Sequence, residues 1–169
     1  PASSLVQDYN LYPRAQVDSY HVRELAEAIR SGVQLPPIVA DAATKRIVDG
    51  FHRVRAYQRV SGPNATVRCD FRTYASEAEI FQEAVALNSA HGRNLTVYDK
   101  TRCLQLAQTL GIEREAIAGK LNITVVRADQ MLLERVTASG DVLKRTMAHL
   151  RGQSLTDMQA AYNQNKAGG

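Results

Sequence analysis

The first half of the chain alternates between the hydrophobic pattern of a helix and that of a strand. In "HVRELAEAIRSG" apolar residues recur every three or four positions, which predicts a helix that ends near Gly32. "LPPIVAD" and "RIVD" are short apolar runs separated by the polar turn "AATK", which predicts a β-hairpin whose prolines precede the first strand. "TVRCDFR" alternates strictly, with Val67, Cys69 and Phe71 on one face, and predicts a half-buried strand.

Helical spacing continues through the rest of the chain. Ser76 and Glu79 form a capping-box pattern ahead of one helix, which we expect to break at Gly92. Thr96 is a candidate N-cap for the next helix, which ends at Gly111. We therefore expect an α/β (α+β) domain over residues 1–75, a bridging helix and loop over 76–94, an all-α domain over 95–138, and a C-terminal helix with a flexible tail over 139–169.

The segment "IEREAIAGKLNITVVRADQMLL" predicts two short helices around a tight turn. Asn122 stands where the turn needs a residue that tolerates positive φ, and Thr124 can cap the second helix. Such helix-turn-helix pairs place a recognition helix in the major groove of DNA. The candidate DNA-binding residues are Thr124, Val125, Val126, Arg127 and Gln130. The two valines either contact thymine methyl groups or pack, and a plain αα-hairpin without a ligand is the alternative.

The amino-acid composition restricts the class of protein but does not identify a ligand. A hydrophobic content of 44% and a charged content of 22% are typical of a globular protein, and the apolar runs are too short to span a membrane. The net charge of +4 and the pI of about 9.2 favour a polyanionic partner. Cys69 and Cys103 lack metal-site spacing, so we expect no metal site, two small buried thiols and a reducing cytoplasm.

The stretch "IVDGFHRVRAYQRV" carries the densest positive charge in a single predicted element. Gly50 allows a ligand to approach the backbone closely, and the helix that follows offers unpaired N–H groups to an anion. Arg53 and Arg55 add forked donors that match phosphate oxygens, and His52 adds a donor when it is protonated. The alternative is that these side chains pair with acidic neighbours or are simply solvated.

Three stretches resemble the ParB/sulfiredoxin superfamily: "LPPIVADAATKRIVDGFHRVRAYQRV", "LYPR" near the N-terminus, and "LNSAHGRNLTVYDKTRC". The last is most similar to ParB-related regulators of antibiotic gene clusters, of the StrR type. The resemblance implies a phosphate-binding corner followed by a helix-turn-helix, with CTP or ATP and magnesium as candidate ligands. The nucleotide-binding residues that it implies are Asp49, Gly50, Phe51, His52, Arg53, Arg55, Asn88, His91 and Arg93.

The chain departs from the superfamily at two places, at Phe51 and around Asn88. Sulfiredoxins place their catalytic cysteine where this chain has Phe51, so we expect no sulfinate reductase activity. Partition ParB proteins that hydrolyse CTP carry a Glu there, and their second nucleotide motif has an acid and an arginine that are lost around Asn88. We therefore expect nucleotide binding rather than efficient turnover. The catalytic residues stay unassigned, and a weak CTPase or ATPase activity is left open.

The sequence thus favours a DNA-binding transcriptional regulator or partition factor, associated with the nucleoid in the cytoplasm, whose N-terminal domain binds a nucleotide. Duplex DNA is the expected partner. A homodimer would need surfaces other than a ParB-type C-terminal domain, unless the chain is shortened, because few residues follow the helix-turn-helix. Two alternatives remain: a ParB-fold enzyme (NTPase, nuclease or small-molecule kinase) that uses the same corner, and a module that binds only another protein.

Overall fold

The computed structural model of the chain describes residues 1–90, 94–136 and 142–144. Its order of helices and strands is mixed α/β, followed by a run of helices, which confirms the expected fold class. After a short 3-10 turn, the elements are α1 (Ser19–Arg30), β1 (Ile38–Asp41), β2 (Ile47–Asp49), α2 (Phe51–Ser61), β3 (Cys69–Arg72), α3 (Glu77–Ala90), α4 (Val97–Thr109), α5 (Arg114–Lys120), α6 (Val125–Leu133), β4 (Glu134–Val136) and β5 (Val142–Lys144).

The first three strands form one sheet in the order β2-β1-β3. Strands β1 and β2 pair antiparallel, so the predicted hairpin is confirmed, and β3 pairs parallel to β1. The prediction that Phe71 faces a covered side was wrong, because its side chain is 47% exposed. Strand β3 lies at the end of the sheet order, and the Lys45 ammonium lies 4.5 Å from the centre of the Phe71 ring.

Polar side chains fix the helix starts near the positions that the sequence indicates. Thr96 and Asp99 form a complete capping box at the start of α4. At α3 the Ser76 hydroxyl accepts the Glu79 N–H, as predicted, but the Glu79 carboxylate accepts the N–H of Ala75 rather than that of Ser76. The capping side chains are therefore the predicted ones, with one partner shifted by a residue.

One hydrophobic cluster joins the sheet to the helical part of the chain. Leu11, Val39 and Val48 pack together with buried residues of α3, α4, α5 and α6. A second cluster lies around Phe51 and Val54, beneath the start of α2. The boundaries that we predict between residues 75 and 95 stay a prediction, since the core runs across them.

Several sequence predictions fall outside the described residues. These are the break at Gly92, the side chains of His91 and Arg93, and most of the expected C-terminal helix and tail. Residues 142–144 are described, and they pair antiparallel with β4 instead of forming a helix, because a neighbouring strand supplies their backbone partners. In the described part of the chain, no helix combines the length and the apolar character that crossing a membrane requires.

Candidate functional site

A cavity of about 890 Å³ opens between the first turns of α1 and α2. The segment that precedes α1 forms one wall, and the end of α3 and the start of α4 form another. This volume suits a ligand of the size of a nucleotide. Of the predicted nucleotide-binding residues, the cavity is lined by Asp49, Gly50, Phe51, His52, Arg53 and Asn88.

The start of α2 forms one end of this cavity and begins at a glycine. Gly50 has φ +114°, and among the described residues no side chain caps the helix. A Cβ atom on Gly50 would lie 2.7 Å from Ile38 Cδ1, so the backbone angle favours glycine there and a larger residue would also have to displace the buried Ile38 side chain. An uncapped helix start presents N–H donors and the positive end of the helix dipole, which together favour an anion.

Arg53 lies over this helix start and is held there by the backbone. Its Nη1 donates to the carbonyl oxygens of Pro36 (2.9 Å) and Pro37 (2.6 Å). Its Nη2 donates to Asp49 Oδ2 at 2.5 Å. The side chain is only 14% exposed. The guanidinium is therefore a fixed positive charge at the cavity, already paired with one carboxylate.

His52 joins the start of α2 to the start of α1. The Asp18 backbone N–H donates to His52 Nε2 at 3.0 Å, so Nε2 acts as an acceptor and the ring proton belongs on Nδ1. His52 Nδ1 faces the Tyr12 hydroxyl at 3.4 Å. If His52 Nε2 were protonated, it could no longer accept the Asp18 N–H. The additional donor that the sequence suggests for His52 would therefore replace this hydrogen bond.

Arg55 is directed away from the cavity. Its side chain is exposed and donates to Gln7 Oε1 (2.9 Å) and to the Tyr9 hydroxyl (2.7 Å). It is not among the residues that line the cavity. The helix explains this, because residues 53 and 55 are about 200° apart around an α-helix. The structure does not bring the two arginines together.

Phe51, where hydrolytic relatives are expected to carry a Glu, is a core residue. Its side chain is 2% exposed, and its ring stacks on Tyr12 with the ring centres 4.1 Å apart. Tyr9 contacts the same ring edge-on at 5.5 Å. Phe51 therefore holds the N-terminal segment against α2 and offers no group that could act on a phosphate.

Arg14 is a cavity residue that residue-level reasoning did not single out. It lines the cavity, and its Nε donates to Asn88 Oδ1 at 3.3 Å. The only signal in the sequence was the "LYPR" resemblance. The fold brings Arg14 to the cavity because α4 fastens this segment: Asp99 accepts the Ala15 N–H at 2.8 Å, and Arg102 donates to the Tyr12 carbonyl at 2.5 Å.

The carboxylates that line the cavity are already engaged. Asp18 caps α1 by accepting the N–H groups of Tyr20 and His21. Asp49 pairs with Arg53, and Asp99 completes the capping box of α4. Within the described ranges, no three His, Cys, Asp or Glu side chains are close enough to hold a metal ion. A magnesium ion here would take most of its ligands from phosphate and water oxygens.

The two cysteines are unsuited to nucleophilic chemistry. Burial raises the pKa of the Cys103 thiol to about 12, and its Sγ donates to the Pro13 carbonyl at 3.3 Å. Cys69 is half-buried rather than buried, and burial raises the pKa of its thiol as well. Both groups therefore stay protonated at neutral pH, which removes the reactive thiolate.

A second candidate surface lies on α6, at the other end of the chain. Asn122 has φ +52° in the turn before it, and the Thr124 hydroxyl accepts the Arg127 N–H, as the sequence predicts. Val126 is 68% exposed, whereas Val125 is partly buried and packs against the core, so Val126 is the more accessible of the two valines.

The Arg127 and Gln130 side chains of α6 are held loosely. Arg127 Nη1 lies 3.5 Å from Gln130 Oε1 and 3.7 Å from Glu134 Oε1, and its side chain is 42% exposed. Asp129 pairs with Arg114 of α5. Long contacts of this kind at an exposed surface contribute little stability. Arg127 and Gln130 are therefore free to exchange their mutual contact for another partner.

Comparison with protein families and curated proteins places this chain among ParB-like proteins. Residues 2–89 match the model of the ParB N-terminal domain. The chain is 41% identical over 83 residues to the "Streptomycin biosynthesis operon possible regulatory protein" of Streptomyces griseus and 39% identical over 87 residues to "Transcriptional regulator NovG" of Streptomyces niveus. These stretches cover 49% and 52% of this chain but only 22% and 26% of those proteins.

One solved structure supports the same fold. The C-terminally truncated chromosome-partitioning protein ParB from Caulobacter crescentus, complexed to the centromeric parS site, aligns with a TM-score of 0.55 and 19% identity over 78% of this chain and 68% of that one. The same protein complexed with CTP-γ-S aligns with a TM-score of 0.47 and 22% identity, over 78% and 74%. The family model covers just over half of the sequence, and the chain therefore belongs to the ParB N-terminal domain family.

Proposed function

We propose that this chain is the nucleotide- and DNA-binding part of a ParB-like regulator. In this proposal the cavity between α1 and α2 holds a nucleoside triphosphate, and α6 reads duplex DNA. The names of the two curated relatives support a regulatory role, and the chain spans about a quarter of their length. The choice between transcriptional regulation and partition rests on those relatives, which favour transcription.

The observation that carries the nucleotide proposal is the uncapped start of α2 beneath a fixed guanidinium. Gly50 lets an anion approach the backbone, and Arg53 supplies a positive charge whose position is already set. A preorganised donor costs little entropy when a ligand arrives. Arg14 and Asn88 add polar groups on the opposite wall of the cavity.

Binding is a better proposal than catalysis. A metal-assisted hydrolase or a kinase needs a carboxylate free to hold a metal or to take a proton. The cavity carboxylates Asp18, Asp49 and Asp99 cap helices or pair with arginine instead. Phe51 occupies the position of the expected acid and is buried.

The DNA proposal rests on the exposed side chains of α6. Thr124 ends the turn, and Val126, Arg127 and Gln130 follow on the first turns of a helix of nine residues. Arg and Gln form forked hydrogen bonds with base edges in the major groove, and an exposed Val matches a thymine methyl group. The net charge of +4 supports association with a polyanion.

Isothermal calorimetry with CTP, ATP and GTP, each with magnesium, tests the proposed nucleotide site. We expect one nucleotide to bind the wild type, Arg53→Ala to abolish that binding, and Arg72→Ala to leave it unchanged. Arg72 is the matched control because it also pairs with carboxylates, those of Asp70 and Glu83, but lies outside the cavity. Absence of binding to the wild type at millimolar nucleotide would contradict the proposal.

A further inference from the structure

Asp49 lies where two sources of positive charge meet. It directly precedes Gly50, the N-cap of α2, and its Oδ2 accepts a hydrogen bond from Arg53 Nη2 at 2.5 Å. The positive end of the helix dipole and the guanidinium both favour a negative charge at this point. Asp49 thus supplies, from within the chain, the kind of charge that a bound phosphate would bring.

Asp49 is not alone in holding Arg53 in place among the described residues. The Arg53 Nη1 atom is fixed by two carbonyl oxygens, those of Pro36 and Pro37. The guanidinium also lies close against Gly50, since a Cβ atom there would be 3.3 Å from Arg53 Cζ. Asp49 therefore differs from the two carbonyl groups in bringing a negative charge to the site.

We propose that Asp49 is a resident counter-ion that competes with the phosphates of a ligand for Arg53 and so lowers the affinity of the cavity for polyphosphates. This inference rests on the proposed function, because it needs a polyphosphate in the cavity. Two negative charges that share one cation within a few ångströms repel each other, and the repulsion is strong where water is partly excluded. Asp49 is 23% exposed and Arg53 14%, so solvent screens the pair only in part.

The substitution Asp49→Asn separates this role from a structural one. An asparagine keeps an oxygen that can accept from Arg53 Nη2 and removes the negative charge. If Asp49 competes with the ligand, the variant binds polyphosphate more tightly. If Asp49 served to position Arg53 or to hold a magnesium ion, the variant would bind more weakly, and damage to folding would also weaken binding.

The experiment is a calorimetric titration of inorganic tripolyphosphate and of CTP into the full chain, in buffer without magnesium. We expect Asp49→Asn to lower the Kd for both ligands by about tenfold or more relative to the wild type. Asp70→Asn is the matched control. It removes the same charge from an exposed pair with Arg72 outside the cavity, and we expect its Kd to equal that of the wild type.

The outcomes distinguish this proposal from the proposed function. An unchanged or higher Kd in Asp49→Asn, with binding by the wild type intact, overturns the counter-ion role and leaves the nucleotide site in place. An equal gain in Asp70→Asn would reveal a general effect of net charge and would also overturn it. If neither the wild type nor Asp49→Asn binds either ligand at millimolar concentration, the counter-ion role fails, and the titration with magnesium described above decides separately whether the nucleotide site exists.

Discussion

Two helices of this protein begin in opposite ways. Helix α2 begins at Gly50, with φ +114° and without a side-chain cap among the described residues. Helix α6 begins at Thr124, whose hydroxyl accepts the Arg127 N–H. A capped start has used one of its backbone donors within the chain, whereas an uncapped start can offer them to a ligand. We therefore expect a ligand of α2 to contact the helix backbone and a ligand of α6 to contact its side chains.

The arginines near the two helix starts also differ, in how firmly their side chains are held. Arg53 is fixed above α2 by two carbonyl oxygens and a carboxylate. Within the described residues, the Arg127 guanidinium of α6 has contacts of 3.5 Å with Gln130 and 3.7 Å with Glu134, and the Arg127 side chain is 42% exposed. A fixed donor suits one small ligand of constant shape. A loosely held donor suits a surface that must adjust to base edges.

The largest effect is expected from Gly50→Ala. The substitution places a Cβ atom 2.7 Å from Ile38 Cδ1 and forces alanine into φ +114°. We expect the free energy of unfolding to fall by about 3 kcal/mol and nucleotide binding to be lost. Gly111→Ala is the control, since its φ is +68° but no heavy atom lies within 4 Å, so the cost should be about 1 kcal/mol. Equal losses in urea unfolding would contradict the role of packing at Gly50.

Arg53→Ala should have the next largest effect. It leaves the carbonyls of Pro36 and Pro37 and the carboxylate of Asp49 without their donor. We expect a loss of about 1–3 kcal/mol in the free energy of unfolding, together with the loss of nucleotide affinity. Arg72→Ala, which breaks an exposed pair, should cost less than about 1 kcal/mol. If the two variants were equally stable, Arg53 would not brace the cavity.

On the DNA side, Arg127→Ala or Gln130→Ala should weaken binding to a preferred duplex by about 1–3 kcal/mol if either residue reads a base. Neither variant should change nucleotide affinity, because both residues lie outside the cavity lining. Retention on DNA over a series of salt concentrations measures the effect. Identical retention of the wild type and both variants would remove α6 from the DNA interface.

Thr124→Ala should have the smallest effect. It removes the hydroxyl that accepts the Arg127 N–H, and loss of such a cap costs about 1 kcal/mol. DNA affinity should fall modestly because the start of α6 frays, while the nucleotide affinity measured by calorimetry stays at the wild-type value. Thr124→Ser, which keeps the hydroxyl, should restore DNA affinity. Failure of serine to do so would argue against a capping role.

The features that could be predicted from the sequence are those that neighbouring residues determine. The hairpin, the positive φ of Asn122 and the caps at Thr96 and Thr124 follow from turn and capping chemistry within a few residues. Phe71 was predicted wrongly because alternation does not reveal which strand lies at the edge of a sheet.

The features of the cavity that could not be predicted depend on residues far apart in the chain. Arg53 is fixed by carbonyls 16 and 17 positions away, and the segment with Arg14 is fastened by Asp99, which is 84 positions from Ala15. Arg55 shares a sequence motif with Arg53, yet it contacts Gln7 and Tyr9 on another side of α2. The motif indicates which residue types lie close together in the sequence, and the fold determines which of them line the cavity.

Hydrogen–deuterium exchange with and without saturating nucleotide tests most directly the claim that α2 binds through its backbone. We predict that the amides of residues 50–53, at the start of α2, exchange more slowly when nucleotide is bound, because in the proposal they donate to its phosphates, whereas the Val54 N–H already donates to the Gly50 carbonyl. The amides of α6 beyond its first turn should keep their rates, since we propose that this helix contacts DNA through side chains. Unchanged exchange at residues 50–53 while calorimetry detects binding would contradict the account.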